Sequence, residues 1–293
     1  MKFQGSIPAL ITPMNDDGSI DEKAFCDLIE WHIQSKSDAL VIAGTTGESA
    51  TLDPEEHFKL LSLAVKQAAG RLPIIAGAGT NATRSTLQLV DNAKRAGADA
   101  CLIVTPYYNR PTQNGLYEHY KTIAEHSSLP IILYNVPGRT ACDILPETVE
   151  RLAKVKNIIG IKEASGKVER CVDIMQRCGK EFAVYSGDDH LAADVMLAGA
   201  QGVISVTANV APLKMHEMSA AALKGDRALT EKLNAELMPL HHNLFIESNP
   251  IPTKWALHNM GKIKNGIRMP LLPLDTKFHQ KMKDALHEAG VTQ

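Results

Sequence analysis

A lysine stands near the end of the apolar run Ile158–Glu163, which reads IIGIKE. In an extended strand, successive side chains point to opposite faces. Ile158, Gly160 and Lys162 are therefore expected on one face, and Ile159, Ile161 and Glu163 on the other. On that reading Glu163 is not the counter-ion of Lys162. An amine walled by isoleucines and lacking an acid loses solvation, which favours its neutral, nucleophilic form. Gly160, one step below, is expected to leave room for a small substrate. Most lysines are solvated surface charges, and many strands end in one merely because they reach water. What sets Lys162 apart is the company it keeps along the chain.

Tyr134 precedes Lys162 by 28 residues. That is one strand–helix repeat, which predicts the two atop neighbouring strands about 5 Å apart. A phenol at that range can pass a proton to or from a carbonyl held on the lysine. Arg139, just outside, suits a bidentate grip on a carboxylate. Upstream, Gly44-Thr45-Thr46-Gly47-Glu48-Ser49 sets two hydroxyls between glycines. This is a cradle for a carboxylate or oxyanion, or else a plain turn; lacking a lysine, it is not a nucleotide phosphate loop. Tyr107 and Tyr108, adjacent and exposed, read as packing or interface residues.

Two further motifs tempt and fail. Asp188-Asp189-His190 suggests a metal, but aspartates at a helix start read as N-caps. The histidines form no clustered ligand set, and His241-His242 falls within a predicted helix, so no metal is expected. The segment 77–82, GAGTNA, matches a dinucleotide-binding turn. It follows the third strand rather than the first, and the next strand ends in Thr105 rather than an acid. It therefore reads as a close-approach turn.

These groups sit at the ends of short apolar runs that recur at near-regular intervals: 7–12, 39–43, 73–76, 100–105, 131–135, 158–162, 182–186 and 202–206. Amphipathic stretches lie between them. One opens with Asp53-Pro54-Glu55-Glu56, an N-cap followed by proline in the first turn; others stop at Gly97 and Gly199. Eight units with continuous rather than alternating apolar strands predict an α/β fold, a (β/α)8 TIM barrel, over residues 1–225. Working groups of such barrels stand at the carboxyl ends of the strands. Stretches 230–247, 251–260 and 276–289 predict a C-terminal three-helix segment, 226–293, packed on the barrel.

Composition narrows the function further. Lys+Arg 31 against Asp+Glu 33 gives a net charge of −2, which argues against nucleic-acid or anionic-membrane partners. The amino terminus has no apolar export core, and no stretch is long and apolar enough to span a bilayer. Five scattered cysteines without a C-x-x-C pair read as reduced thiols of a cytoplasmic protein.

GTTGES at 44–49, YNVPGRT at 134–140 and GIKEASG at 160–166, in this order and spacing, resemble the pyruvate-dependent class I aldolases, the family of dihydrodipicolinate synthases and N-acetylneuraminate lyases. The resemblance covers essentially the whole chain, including the C-terminal segment. The Tyr107-Tyr108 pair and Arg139 resemble the synthase branch rather than the lyase branch. It implies condensation of pyruvate with L-aspartate 4-semialdehyde to 4-hydroxy-tetrahydrodipicolinate, in lysine and diaminopimelate biosynthesis, with no metal or organic cofactor. It also implies a homo-oligomer, a tetramer built from tight dimers. Lys162 then forms a Schiff base with pyruvate. Tyr134, Thr45 and Tyr108 make a proton relay, with Tyr108 reaching into the neighbouring subunit's site. Thr46, Gly187 and Ile204 line the pyruvate pocket, and Arg139 receives the carboxylate of the semialdehyde. Ser49, Ala50, His57, Asn81 and Tyr107 match the interface pocket of lysine-inhibited members. Where those carry a glutamate near the start of the helix after strand 3, this chain has Ser85, so weak or absent lysine inhibition is expected. The alternatives are another aldolase of the family, acting on neuraminate or a 2-keto-3-deoxy sugar, and a non-catalytic small-molecule-binding barrel in which Lys162, Tyr134 and Thr45 would be superfluous.

Overall fold

The computed structural model of the chain describes residues 3–291. Met1 and Lys2, part of the segment expected to carry no export signal, lie outside the described residues. Eight parallel strands form one sheet: β1 (Gly5–Pro8), β2 (Leu40–Ile42), β3 (Ile74–Gly77), β4 (Ala100–Val104), β5 (Ile131–Asn135), β6 (Ile158–Glu163), β7 (Ala183–Ser186) and β8 (Gly202–Ser205). From β2 to β8 each strand pairs with its sequence neighbours, and β1 pairs with β8. β1 and β2 bring the ring round on itself through a bridge between Ala9 and Val41, beside which the Leu10 amide donates to the Val41 carbonyl at 2.9 Å. The result is a (β/α)8 barrel.

The apolar runs are continuous because both faces of the sheet are buried. Ile7, Val41, Ile75, Leu102, Ile132 and Tyr185 fill the barrel interior. Ile42, Ile74, Ile103, Leu133, Ile161 and Val184 face outward into the helix layer. The first strand lies earlier than the predicted run 7–12. Beyond Pro8 a side chain replaces the ladder: Asn209 accepts from the Ile11 amide at 3.0 Å and donates to the Ala9 carbonyl at 2.8 Å. The regular strand therefore ends at Pro8, with Ala9 and Leu10 tied to the sheet only through Val41 and Ser205.

The helices are α1 (Glu22–Gln34), α2 (Pro54–Ala68), α3 (Thr83–Ala96), α4 (Gln113–His126), α5 (Pro137–Thr140), α6 (Pro146–Leu152), α7 (Val168–Cys178), α8 (Ala192–Leu197), α9 (Pro212–Leu223), α10 (Arg227–Asn243), α11 (Ile251–Asn259) and α12 (His279–Glu288). Asp53 opens α2 with a reciprocal capping box to Glu56, and Gly97 ends α3 in the left-handed conformation. α10 starts from an Asp226 cap and packs on α8, α9 and α12. It stops at Asn243, so His241 and His242 stand in its last turn rather than mid-helix. No described helix is long and apolar enough to cross a membrane.

His32, on the inner face of α1, has no exposed surface, and Ser37 Oγ lies 3.0 Å from its Nδ1. Burial, with the Lys262 charge adding to it, pushes its pKa from 6.5 down to about 3. The unfolded chain takes up that proton below pH 6.5 and the folded chain does not. The stability linked to His32 is thus complete above that pH and falls toward pH 3, by about 1.4 kcal/mol per pH unit. His32→Leu is expected to lose less stability than the parent between pH 6.5 and 5, measured as urea midpoints. Equal losses would refute this.

Candidate active site

β6 carries the central pair. The register sets Tyr134 beside Lys162 and Asn135 beside Glu163. Lys162 Nζ lies 4.4 Å from the centre of the Tyr134 ring. Lys162 is 5% exposed and, among the described residues, takes part in no hydrogen bond or ion pair. Glu163 faces the other way, where its carboxylate accepts from Asn135 Nδ2 at 3.1 and 3.2 Å and from the Ser165 amide at 2.9 Å. Burial raises the Glu163 pKa above the usual carboxylate range. Asn135 also donates to Asp143 at 2.8 Å, and Arg170 holds that aspartate in turn. Asp188 is the acid whose charge couples to Lys162; burial raises its pKa, while the Gly166 amide, then the His190 and Lys162 charges, pull it back.

The expected alternation holds only from Gly160 onward. Ile131 pairs with Ile158 and Ile132 with Gly160, so Ile159 is an extra residue, a bulge. Ile158 consequently joins Ile161 in the outer layer instead of sharing a face with Lys162. Gly160 does not make room for a substrate either. A Cβ there would lie 2.5 Å from the Ala183 carbonyl, so close approach of β7 demands the glycine. Gly187 is the glycine that serves the lysine: a Cβ would lie 2.6 Å from Ala164 Cβ and 3.1 Å from Lys162 Cε.

A cavity of about 510 Å3 brings together Thr45, Thr46, Tyr134, Arg139 and Lys162, with Ser49, Ala50, His57 and Tyr107 on the same wall system. Arg139 is a fixed cation on its lining, Lys162 brings an amine, and among the described residues no aspartate or glutamate lines it. Four predicted site residues do not line it. Tyr108 is 89% exposed, with φ +75°. Gly187 packs behind the lysine stem, Ile204 is buried in the barrel interior, and Asn81 turns its carbonyl to Asn109 Nδ2 at 2.7 Å. The GAGTNA turn is a close-approach turn: Cβ atoms on Gly77 and Gly79 would lie 2.3 Å from Ala43 O and 2.4 Å from Val104 N.

Asp188 and Asp189 cap nothing of their own helix. Asp188 accepts from the Gly166 amide at 2.9 Å. Asp189 accepts from Ser205 Oγ and from the amides of Val206 and Thr207, both at 2.9 Å, fixing the end of β8. The aspartates were legible as acceptors for backbone N–H groups, but their partners lie on other strands.

The C-terminal segment supplies residues that the motifs did not reveal. Lys254 of α11 and Glu48 of the GTTGES loop form a buried ion pair, with side chains 3% and 1% exposed. The Arg268 amide donates to the other Glu48 oxygen at 3.2 Å. Asn249 donates to Thr46 Oγ1 at 2.9 Å. A lone lysine within the mostly apolar stretch IPTKWAL was the available signal.

A parallel barrel with an unpaired buried lysine and a tyrosine at the carboxyl ends of its strands defines a lyase of the barrel-enzyme class. More narrowly, the chain belongs to the dihydrodipicolinate synthetase family, whose model matches residues 2–289. It is 58% identical over 289 residues to the 4-hydroxy-tetrahydrodipicolinate synthase of Methylococcus capsulatus, covering 99% of each chain. It is 55% identical over 287 residues to that of Pseudomonas aeruginosa, covering 98% of each. The chloride-inhibited dihydrodipicolinate synthase of Acinetobacter baumannii, solved in complex with pyruvate, superposes with a TM-score of 0.98 at 51% identity, covering 99% of this chain and 100% of that one.

Breaking the buried pair on one side leaves a stranded charge, whereas replacing both partners need not destabilise. Lys254→Met is expected to lose about 3–5 kcal/mol in urea denaturation, and Glu48→Gln with Lys254→Met to recover most of it. A single variant within about 1 kcal/mol of the parent would show that the pair carries no such weight.

Proposed function

We infer that this protein condenses pyruvate with L-aspartate 4-semialdehyde to give 4-hydroxy-tetrahydrodipicolinate, a step of lysine and diaminopimelate biosynthesis. The observation that carries the reading is the buried, unpaired Lys162 amine against Tyr134, in a cavity that Arg139 lines and no aspartate or glutamate does. Both substrates bring carboxylates, and the cavity offers them no opposing acid.

Lys162 Nζ adds to C2 of pyruvate, and loss of water leaves an iminium. The positive nitrogen draws electrons from the methyl C–H bonds, so a proton leaves to Tyr134 and an enamine forms. Thr45, and Tyr108 of a neighbouring subunit, pass the protons on, a role worth about 10²–10⁴ in rate. The enamine carbon then bonds to the aldehyde carbon, whose oxygen takes a proton. The amine of the second substrate adds to C2 and expels Lys162, closing the ring. Thr46 receives pyruvate, Gly187 and Ile204 support the pocket from behind the Lys162 stem and from the barrel interior, and Arg139 receives the carboxylate of the aldehyde. Every bond change is met by these groups, without metal or organic cofactor. We propose a cytoplasmic homotetramer: five free cysteines suit a reducing compartment, and the outward Tyr108 suits work across an interface.

Borohydride with pyruvate is expected to add a reduced three-carbon unit to the chain, and to add nothing to Lys162→Ala. An adduct on the alanine variant would defeat the reading. Arg139→Ala is expected to raise the KM for aspartate semialdehyde by about tenfold or more, with the pyruvate KM little changed; unchanged kinetics would count against this acceptor. Lysine is expected to inhibit weakly or not at all, because Ser85 of α3 lines the cavity where inhibited members place a carboxylate. Half-inhibition below about 1 mM, stronger than a millimolar-range affinity, would contradict this.

A further inference from the structure

The wall that holds Thr46 and Arg139 is completed from the far end of the chain. Asn249, 5% exposed, stands two residues before α11. Its Nδ2 donates to Thr46 Oγ1 at 2.9 Å, and its backbone carbonyl accepts from Arg139 at 3.1 Å. The amide is oriented by Thr253, fully buried one helical turn on, which donates to Asn249 Oδ1 at 3.3 Å. A hydroxyl that accepts an N–H keeps one proton to give elsewhere. Among the described residues nothing accepts the Thr46 proton, although Thr46 is 2% exposed and lines the cavity.

We propose that Asn249 is a positioning residue that aims the Thr46 hydroxyl as a hydrogen-bond donor to the anionic end of the keto acid. The proposal rests on the reading of Thr46 as a pyruvate-binding residue and deepens it. A donor already aimed, with one lone pair held by the Asn249 amide, needs less reorganisation when the carboxylate arrives. Lys254, five residues along from Asn249, grips Glu48, two residues along from Thr46. The same pair of segments is therefore fastened twice, and the donor's place is set as well as its direction.

The test is steady-state kinetics on the whole chain, as variant-to-parent ratios at several pH values, with thermal midpoints to confirm folding. Asn249→Ala deletes the donor and is expected to raise the pyruvate KM about tenfold at every pH, with kcat changed less than about threefold. Asn249→Asp installs an acceptor that turns the Thr46 proton away and sets a charge beside the incoming carboxylate. Its KM ratio is expected near 100 at pH 8 and to shrink as the pH falls toward 5 and the new carboxyl protonates. Thr253→Val releases the amide, and about a threefold rise in KM is expected. Should the aspartate variant not fold, the other two decide. A parent-like pyruvate KM in folded Asn249→Ala overturns the proposal, as does an Asn249→Asp ratio that is the same at every pH. Borohydride trapping on the parent chain separates the levels. No adduct there defeats the Schiff-base reading itself; a normal adduct with unmoved variants defeats only the role of Asn249.

Discussion

Alternation along β6 separates an amine from the carboxylate next to it in sequence, and the site depends on that separation. If Lys162 and Glu163 shared a face they would form an ion pair, and the amine would be occupied. Instead Glu163 is spent outside the barrel on Asn135 and Ser165, and Lys162 is left with the face of Tyr134 as its close partner. The fold therefore holds the amine buried and unpaired, in a place that an ordinary lysine would leave for water. The β5–β6 register, with its bulge at Ile159, sets the height at which the two side chains meet.

The opposite wall is built on a different principle. The GTTGES loop is no strand end but a tight turn, with Glu48 in the left-handed region at φ +58°. A non-glycine residue held there is strained by roughly 1–2 kcal/mol, and its carboxylate is buried besides. Both costs are met from the C-terminal segment, through Lys254, the Arg268 amide and Asn249. That segment is thus more than a cover for the barrel: it closes the turn that presents Thr45 and Thr46.

Between these walls the cavity has an uneven charge. Arg139 attracts anions, Lys162 offers its amine, and no aspartate or glutamate on the lining opposes them. His57 adds no charge. Its Nε2 donates to the Gly77 carbonyl at 2.8 Å, and burial lowers its pKa, so it stays neutral near neutral pH. A cavity of this kind suits small dicarboxylate chemistry better than a cationic effector.

How much of this was legible in the chain follows from what each feature depends on. Continuous apolar runs closed by polar groups reflect burial on both faces, a local property, and so the barrel, the eight strands and the Lys162–Tyr134 pairing could be read from composition and spacing. The motif resemblance added roles for residues such as Gly187 and Ile204, whose own chemistry says little. The bulge at Ile159, the true reason for Gly160 and the partners of Asp188 and Asp189 were hidden, because each depends on where a neighbouring strand's backbone passes. The clamp on the loop was hidden more deeply: Thr46 and Asn249 are 203 residues apart, and nothing local ties a buried lysine in an apolar helix to one glutamate among many. The linear order of residues determined which groups could do chemistry and on which strands they stand. Only tertiary packing decided which of them lost water, which found partners and which were left free, because desolvation and pairing are properties of a place in space rather than of a position in sequence.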